Sequence, residues 1–193
     1  MTIIEEGHLG GFYHGGDPGT YAPWVWDALI KRFVVSSVLD VGCAEGHALR
    51  YFYEKGVEIA GVDGSSYAVE HSLVPEFVTQ HDFTTGPFAP QRRFDLVWSC
   101  EFVEHVAEEY VSNFLVSFGC GSVVALTHAH PGQGGYHHVN CQPDKYWIQR
   151  IVNLGYSYHE RLSLDLRAAS PHVASGHWVR NSLLIFSRSI CSL

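Results

Sequence analysis

The run Val34-Val35-Ser36-Ser37-Val38-Leu39-Asp40 is apolar, β-branched and ends on a carboxylate, and Val41-Gly42-Cys43-Ala44-Glu45-Gly46 follows directly. This reads as a buried strand (34–40), a glycine turn, and a helix over Ala48–Lys55. Glycines let the backbone approach a ligand closely, and the helix start aims its N–H groups and positive dipole end at the same place. A second strand, Val57–Val62, ends at Asp63-Gly64. That acid falls about 20 residues after the turn, where a ribose-hydroxyl acceptor is expected. The dinucleotide fingerprint G-x-G-x-x-G is absent. The glycines here are spaced G-x-x-x-G behind Asp40, which would repel a pyrophosphate.

The alternation continues along the chain. The sequence predicts a short helix over Ser66–Ser72, a third strand over Glu76–Gln80 and a loop over Phe83–Gln91. A fourth strand covers Phe94–Ser99, and a mostly helical stretch covers Phe102–Phe118. A fifth strand spans Ser122–Thr127, a Gly- and His-rich loop spans His128–Asn140, and a helix spans Pro143–Leu154. Tyr156–Leu164 and Asn181–Ser187 read as two last strands joined by the loop Arg167–Arg180, and Tyr21–Arg32 as a helix ahead of the first strand. Strands alternating with helices imply an α/β domain with a mostly parallel sheet, and the last β-loop-β implies an antiparallel strand added late. The 193 residues suit one domain, with 1–33 an N-terminal lid and helix and 34–193 the core.

These strings resemble the class I S-adenosylmethionine-dependent methyltransferases over Val34–Leu154. VLDVGCAEG is similar to the family's nucleotide loop, GVDGS to its second motif, and FDLVWSCEFVEHV to its fourth. Gln80-His81-Asp82-Phe83 sits where the family meets adenine. Ala44 replaces the usual third glycine. The resemblance implies a Rossmann-like three-layer α/β sandwich with a mostly parallel seven-stranded sheet and an antiparallel C-terminal strand. It implies that Asp40, Gly42 and Gly46, with Cys43 and Ala44, hold the methionine end of S-adenosylmethionine. It gives Asp63 and Gly64 the ribose, Asp82 and Phe83 the adenine, and adds Ser99 to the cofactor site.

Between Phe94 and Asp144 there is no Lys or Arg, but five of the 13 histidines and the acids Asp95, Glu101, Glu104, Glu108, Glu109 and Asp144 fall there. Ligands bind at the carboxyl ends of such strands, so this is the expected acceptor side. Placed on a helix, Glu101, Glu104 and His105 share a face. With His138 from the following loop they form a candidate site for Mg²⁺ or Mn²⁺. Such a string followed by a downstream His resembles the ubiquinone-biosynthesis O-methyltransferases and the small-RNA 2′-O-methyltransferases. Three readings stay open: a cation site, a metal-free base drawn from His138 or His105 with Glu104, and a structural cluster. The other histidines (His8, His14, His47, His71, His159, His172, His177) read as loop, surface or helix-start positions, with His14 and Tyr13 candidate lid residues. The tryptophans, Trp178 included, read first as core.

The formal charge of −8 argues against broad binding to nucleic acid or anionic membrane. No apolar run approaches the ~20 residues of a membrane helix, and no signal peptide is read at Met1–Gly16. The five scattered cysteines read as reduced thiols, giving a cytoplasmic expectation. The functional expectation is O-methylation of a small-molecule or carbohydrate hydroxyl. RNA ribose 2′-O-methylation and a non-catalytic cofactor-binding scaffold are the alternatives, and oligomeric state is open.

Overall fold

The computed structural model describes residues 2–169 and 175–188. Its centre is one sheet built from β3 (Ser37–Val41), β4 (Glu58–Asp63), β5 (Val78–Gln80), β6 (Phe94–Ser99), β7 (Gly121–Leu126), β8 (Ser157–Tyr158) and β9 (Leu184–Ser187). The strand order is β5-β4-β3-β6-β7-β9-β8, and β9 alone runs antiparallel to its neighbours. A separate two-stranded hairpin, β1 (Ile3–Glu5) and β2 (Gly11–Tyr13), precedes the sheet.

The chain starts in mid-sheet at β3, steps outward to β5, then returns across β3 to β6. Adjacent strands therefore diverge between β3 and β6, and a crevice opens at their carboxyl ends.

Helices cover both faces. α1 (Pro23–Phe33), α2 (His47–Glu54), α6 (Glu160–Ala168) and α7 (His177–Ser182) pack on one, α4 (Val111–Phe118) and α5 (Asp144–Val152) on the other; α3 (Ser66–Glu70) follows β4. Strand alternation feeds the two cores: Val123, Ala125 and Ile185 point one way, Val124, Leu126, Leu184 and Phe186 the other. Trp26, Phe52 and Trp98 fill the first core, and Phe114, Phe118 and Trp147 the second, all nearly inaccessible. Each contributes about 1.5–3 kcal/mol of hydrophobic stabilisation.

Several expectations need correction. β3 starts at Ser37 because Val34 caps α1 in the left-handed region, with φ 53°. The strand expected over Tyr156–Leu164 is only two residues long before α6 begins. Leu162 and Leu166 pack into the core while Leu164 is half exposed, so the even spacing of leucines imitates a strand on a helix. The link between the last strands holds α7, introduced by Gly176 at φ 68°; His172, in that link, lies outside the described residues.

The helix expected over Phe102–Phe118 is α-helical only in α4. Before it lie two single 3-10 turns, Val103–His105 and Glu108–Tyr110. Glu101 is left-handed (φ 50°), and the carbonyl of Glu104 accepts from the N–H groups of Val139 and Asn140, so it is not part of a helical ladder.

Gly42 has φ 75°, and a Cβ there would meet the Phe102 ring at 2.4 Å. Gly42→Ala is expected to lower stability by about 1–3 kcal/mol, read as a fall in Tm, through the left-handed penalty plus displacement of Phe102.

Candidate active site

The glycine turn is held open by a carboxylate from the next strand. Asp63 Oδ2 accepts from Ala44 N–H at 2.7 Å, and its Oδ1 accepts from Ser65 N–H at 2.9 Å. Ala44, at φ 45°, takes the left-handed conformation that the usual glycine would adopt freely. Gly46 caps the start of α2 at φ 77°, so His47 opens the helix as expected.

Above this turn lies a cleft of about 420 Å³, lined among others by Asp40, Gly42, Cys43, Ala44 and Asp63. A second cavity of about 210 Å³ is lined by Gly64, Asp82 and Phe83, and the two share Leu9, Asp63, Phe102 and His105. The turn and the two acid-bearing strand ends thus border one continuous crevice. Three expected residues do not line it, Gly46, Ser99 and the fully buried Glu104. Gly46 serves the helix start, and Ser99 is fully buried, its hydroxyl donating to the Val41 carbonyl at 2.8 Å to tie β6 to β3.

Burial pushes Asp40 well above the usual carboxylate range, and the nearby Asp63 adds to this; burial also raises Asp63 against its backbone hydrogen bonds. For Asp82 burial works upward, but hydrogen bonds from His8 and Thr84 bring it below its ordinary value.

The E-x-x-E-H residues meet by a route other than a helix face. Glu101 turns to Thr127: its N–H donates to Thr127 Oγ1 at 2.9 Å, and that hydroxyl donates to Glu101 Oε1 at 2.8 Å. One ligand atom each from Glu104, His105 and His138 lie within 4.8 Å of one another, and Glu101 is not in that group. His138 reaches it because the Glu104 carbonyl clamps Val139 and Asn140 at 3.0 Å each, and Asn140 Nδ2 donates to the Val106 carbonyl.

Glu104 is fully buried, and neither of its oxygens, nor His105 Nδ1, has a hydrogen-bond partner. Burial, then the adjacent Glu101, holds Glu104 well above the usual carboxylate range. Burial, then His138, lowers His105 to about 4, so it is uncharged near neutral pH. The described cysteines Cys43, Cys100, Cys120 and Cys141 are free thiols; Cys191 lies outside the described residues.

Other contributors had weak sequence signals. Glu45 is buried and accepts from Gly15 N–H at 2.8 Å, with His14 Nδ1 at 2.7 Å, pinning the N-terminal segment to the glycine turn. Trp178, read first as core, lines the cleft, and its Nε1–H donates to Asp17 at 2.8 Å. Tyr13, Tyr21 and Tyr136 also line the cleft. Among the described residues no Lys or Arg lines either cavity.

A profile of the methyltransferase domain matches residues 17–119, more than half of the chain. The chain belongs to this methyltransferase family. It is a class I S-adenosylmethionine-dependent methyltransferase, which sets aside the scaffold alternative.

No curated protein matches the sequence. Among solved structures it resembles the sugar N-methyltransferase KedS8 from Streptoalloteichus sp., at 18% identity over 97% of each chain and TM-score 0.69. It resembles DesVI of Streptomyces venezuelae at 17% identity, covering 86% of this chain and 90% of that one, TM-score 0.65. A DhpI complex with SAM and HEP aligns at 14% identity over 86% and 83%, TM-score 0.56. These likenesses carry the fold. Among the described residues no helix is long and apolar enough to cross a membrane.

A second group, His128, His130 and Asp144, lies behind the loop. His128 Nε2 is 3.1 Å from Asp144 Oδ1, and Arg167 donates to Oδ2 at 3.2 Å. The hydrogen bond with His128 leads in bringing Asp144 down to about 2, against burial and with help from Arg167. A depressed carboxylate contributes stability above its unfolded value of about 3.9 and loses it as pH falls toward 2. Asp144→Asn should therefore unfold at a lower temperature than the native chain at pH 7, and the gap should close as pH is lowered from about 4 to 2.

Proposed function

We propose that this methyltransferase acts on a hydroxyl of a small molecule or sugar, with Glu104, His105 and His138 forming the acceptor end of the site. The observation that carries this reading is the buried Glu104 carboxyl and His105 Nδ1, both without hydrogen-bond partners and gathered with His138 beside the cleft. Orphaned buried groups of this kind are costly unless they serve a ligand.

The donor set of one carboxylate and two imidazoles fits a divalent cation. With Glu101 committed to Thr127, the set is poorer in oxygen than the four-residue expectation and favours Mn²⁺ or a similar transition ion over Mg²⁺. Such an ion, when bound, lowers the pKa of an acceptor hydroxyl. S-adenosylmethionine, when bound, supplies an electrophilic methyl group.

The chain's own part is to bind and orient. Gly42, Ala44 and Asp63 shape the donor end, and Phe102 closes against the turn. Where no cation is held, His138, on the loop clamped to Glu104, is the residue positioned to take the hydroxyl proton, because burial lowers His105 to about 4 and leaves it a weak base. The aromatic residues Tyr13, Tyr21, Tyr136 and Trp178 in the lining offer faces and edges for a ring-bearing acceptor.

RNA is disfavoured because neither cavity is lined by Lys or Arg to meet phosphate. The same charge pattern supports a second reading, an amine acceptor, because Asp17, Glu45 and Glu101 in the lining would attract a cationic nitrogen.

A screen with methyl-labelled donor, pairing hydroxyl acceptors with their amine counterparts, separates the two; turnover of the amines alone would overturn O-methylation. Glu104→Gln and His138→Ala are each expected to lower kcat about 10²–10⁴-fold while leaving donor affinity within about threefold. Unchanged turnover would remove these residues from the acceptor site. Excess EDTA should abolish activity and Mn²⁺ restore it; full activity in EDTA would leave His138 as a metal-free base.

A further inference from the structure

The hairpin β1–β2 does not join the main sheet. It is a strap whose tip, the 3-10 turn Gly7–Leu9, lies at the junction of the two cavities. His8 Nε2 is 2.8 Å from Asp82 Oδ2. Leu9 packs on Gly64 so closely that a Cβ there would sit 2.6 Å from Leu9 Cδ2. Gly10 lies against His105, where a Cβ would be 2.7 Å from Nδ1. At the other end Glu45 holds His14 and Gly15.

One strap side chain is left unexplained by these contacts. Glu6 lines the larger cleft, and its Oε2 is buried without a hydrogen-bond partner. Its charge acts on Asp63, one of the groups that raise that carboxyl. Both acids line the same cleft, and among the described residues no Lys or Arg does. Such a space calls for a ligand with paired donors, and a vicinal diol supplies two O–H groups in one rigid unit.

We infer that Glu6 is a donor-binding residue of this enzyme, taking a ribose hydroxyl of the methyl donor opposite Asp63, while Leu9 fills the wall that Gly64 leaves bare beside the adenine. The strap is then part of the cofactor site and not merely a cover over it. This inference rests on the family's methyl donor and is independent of the acceptor chemistry.

The test is calorimetric titration of the full chain with S-adenosylhomocysteine and with its 2′,3′-dideoxy analogue. Glu6→Gln, which keeps shape and removes charge, should weaken S-adenosylhomocysteine about ten- to a hundredfold, the equivalent of one charge-assisted hydrogen bond, and leave the dideoxy analogue within about twofold. Leu9→Ala should weaken both ligands by the same factor. Thermal unfolding without ligand checks that each variant is folded.

If Glu6→Gln binds S-adenosylhomocysteine as tightly as the intact chain while Asp63→Ala loses it, the inference is wrong and the donor site stands. It is equally overturned if Glu6→Gln weakens both ligands alike, because the strap would then act only as a cover, or if Glu6→Gln abolishes tight Mn²⁺ binding by the ligand-free chain. If the intact chain binds neither ligand, the donor assignment fails and takes this inference with it.

Discussion

The two hydrogen bonds that Asp63 accepts, from Ala44 and Ser65, organise much of what surrounds them. They fasten the end of β4 to the turn after β3, and that turn must run through three left-handed residues, Gly42, Ala44 and Gly46, before α2 can start. Left-handed backbone costs a residue with a side chain about 1–2 kcal/mol, a cost that falls on Ala44. The carboxylate offsets the cost at Ala44 by giving its N–H a charged partner. Phe102 can then fold against Gly42, which brings the segment after β6 over the same crevice. The ends proposed for donor and acceptor are thereby joined through one aromatic ring.

The parts of this arrangement set by local sequence were legible. β6 runs Phe94–Ser99 as read, because its apolar residues are bounded by clear breakers. The turn, the acid at the end of β4 and the sheet with its one antiparallel strand follow from the same kind of signal.

The cluster proposed for the acceptor is a different case. The chemistry of Glu104, His105 and His138 groups them in the sequence and they do converge, but the helix expected to bring them together is absent. A 3-10 turn and a backbone clamp perform that task, and both depend on partners that lie far along the chain, Thr127 for Glu101 and Val139 for Glu104. Glu101 left the group for the same reason. The strap was legible only as glycine-rich chain, since Glu6 and Leu9 acquire meaning only once the hairpin lies across the crevice. Trp178, for which a core place reads ahead of a pocket place, lines the cleft; an indole has the same sequence signature in either position.

The double clamp on the Glu104 carbonyl has an architectural consequence. It fixes the chain at Val139 and Asn140, while the hydrogen bond from His128 N–H to Ser182 Oγ fixes the start of the same loop. Between these anchors Gln133, Gly134, Gly135 and Tyr136 form a span bordering the cleft on the side proposed for the acceptor. Within the span the Gln133 carbonyl accepts from His138 Nδ1 and Cys141 Sγ, and the His138 ring lies where a Cβ on Gly135 would be. The fold therefore couples this wall of the cleft to the placement of His138, so a sequence grafted between the two anchors must keep the Gln133 carbonyl and the glycine at 135 if that imidazole is to stay where it is.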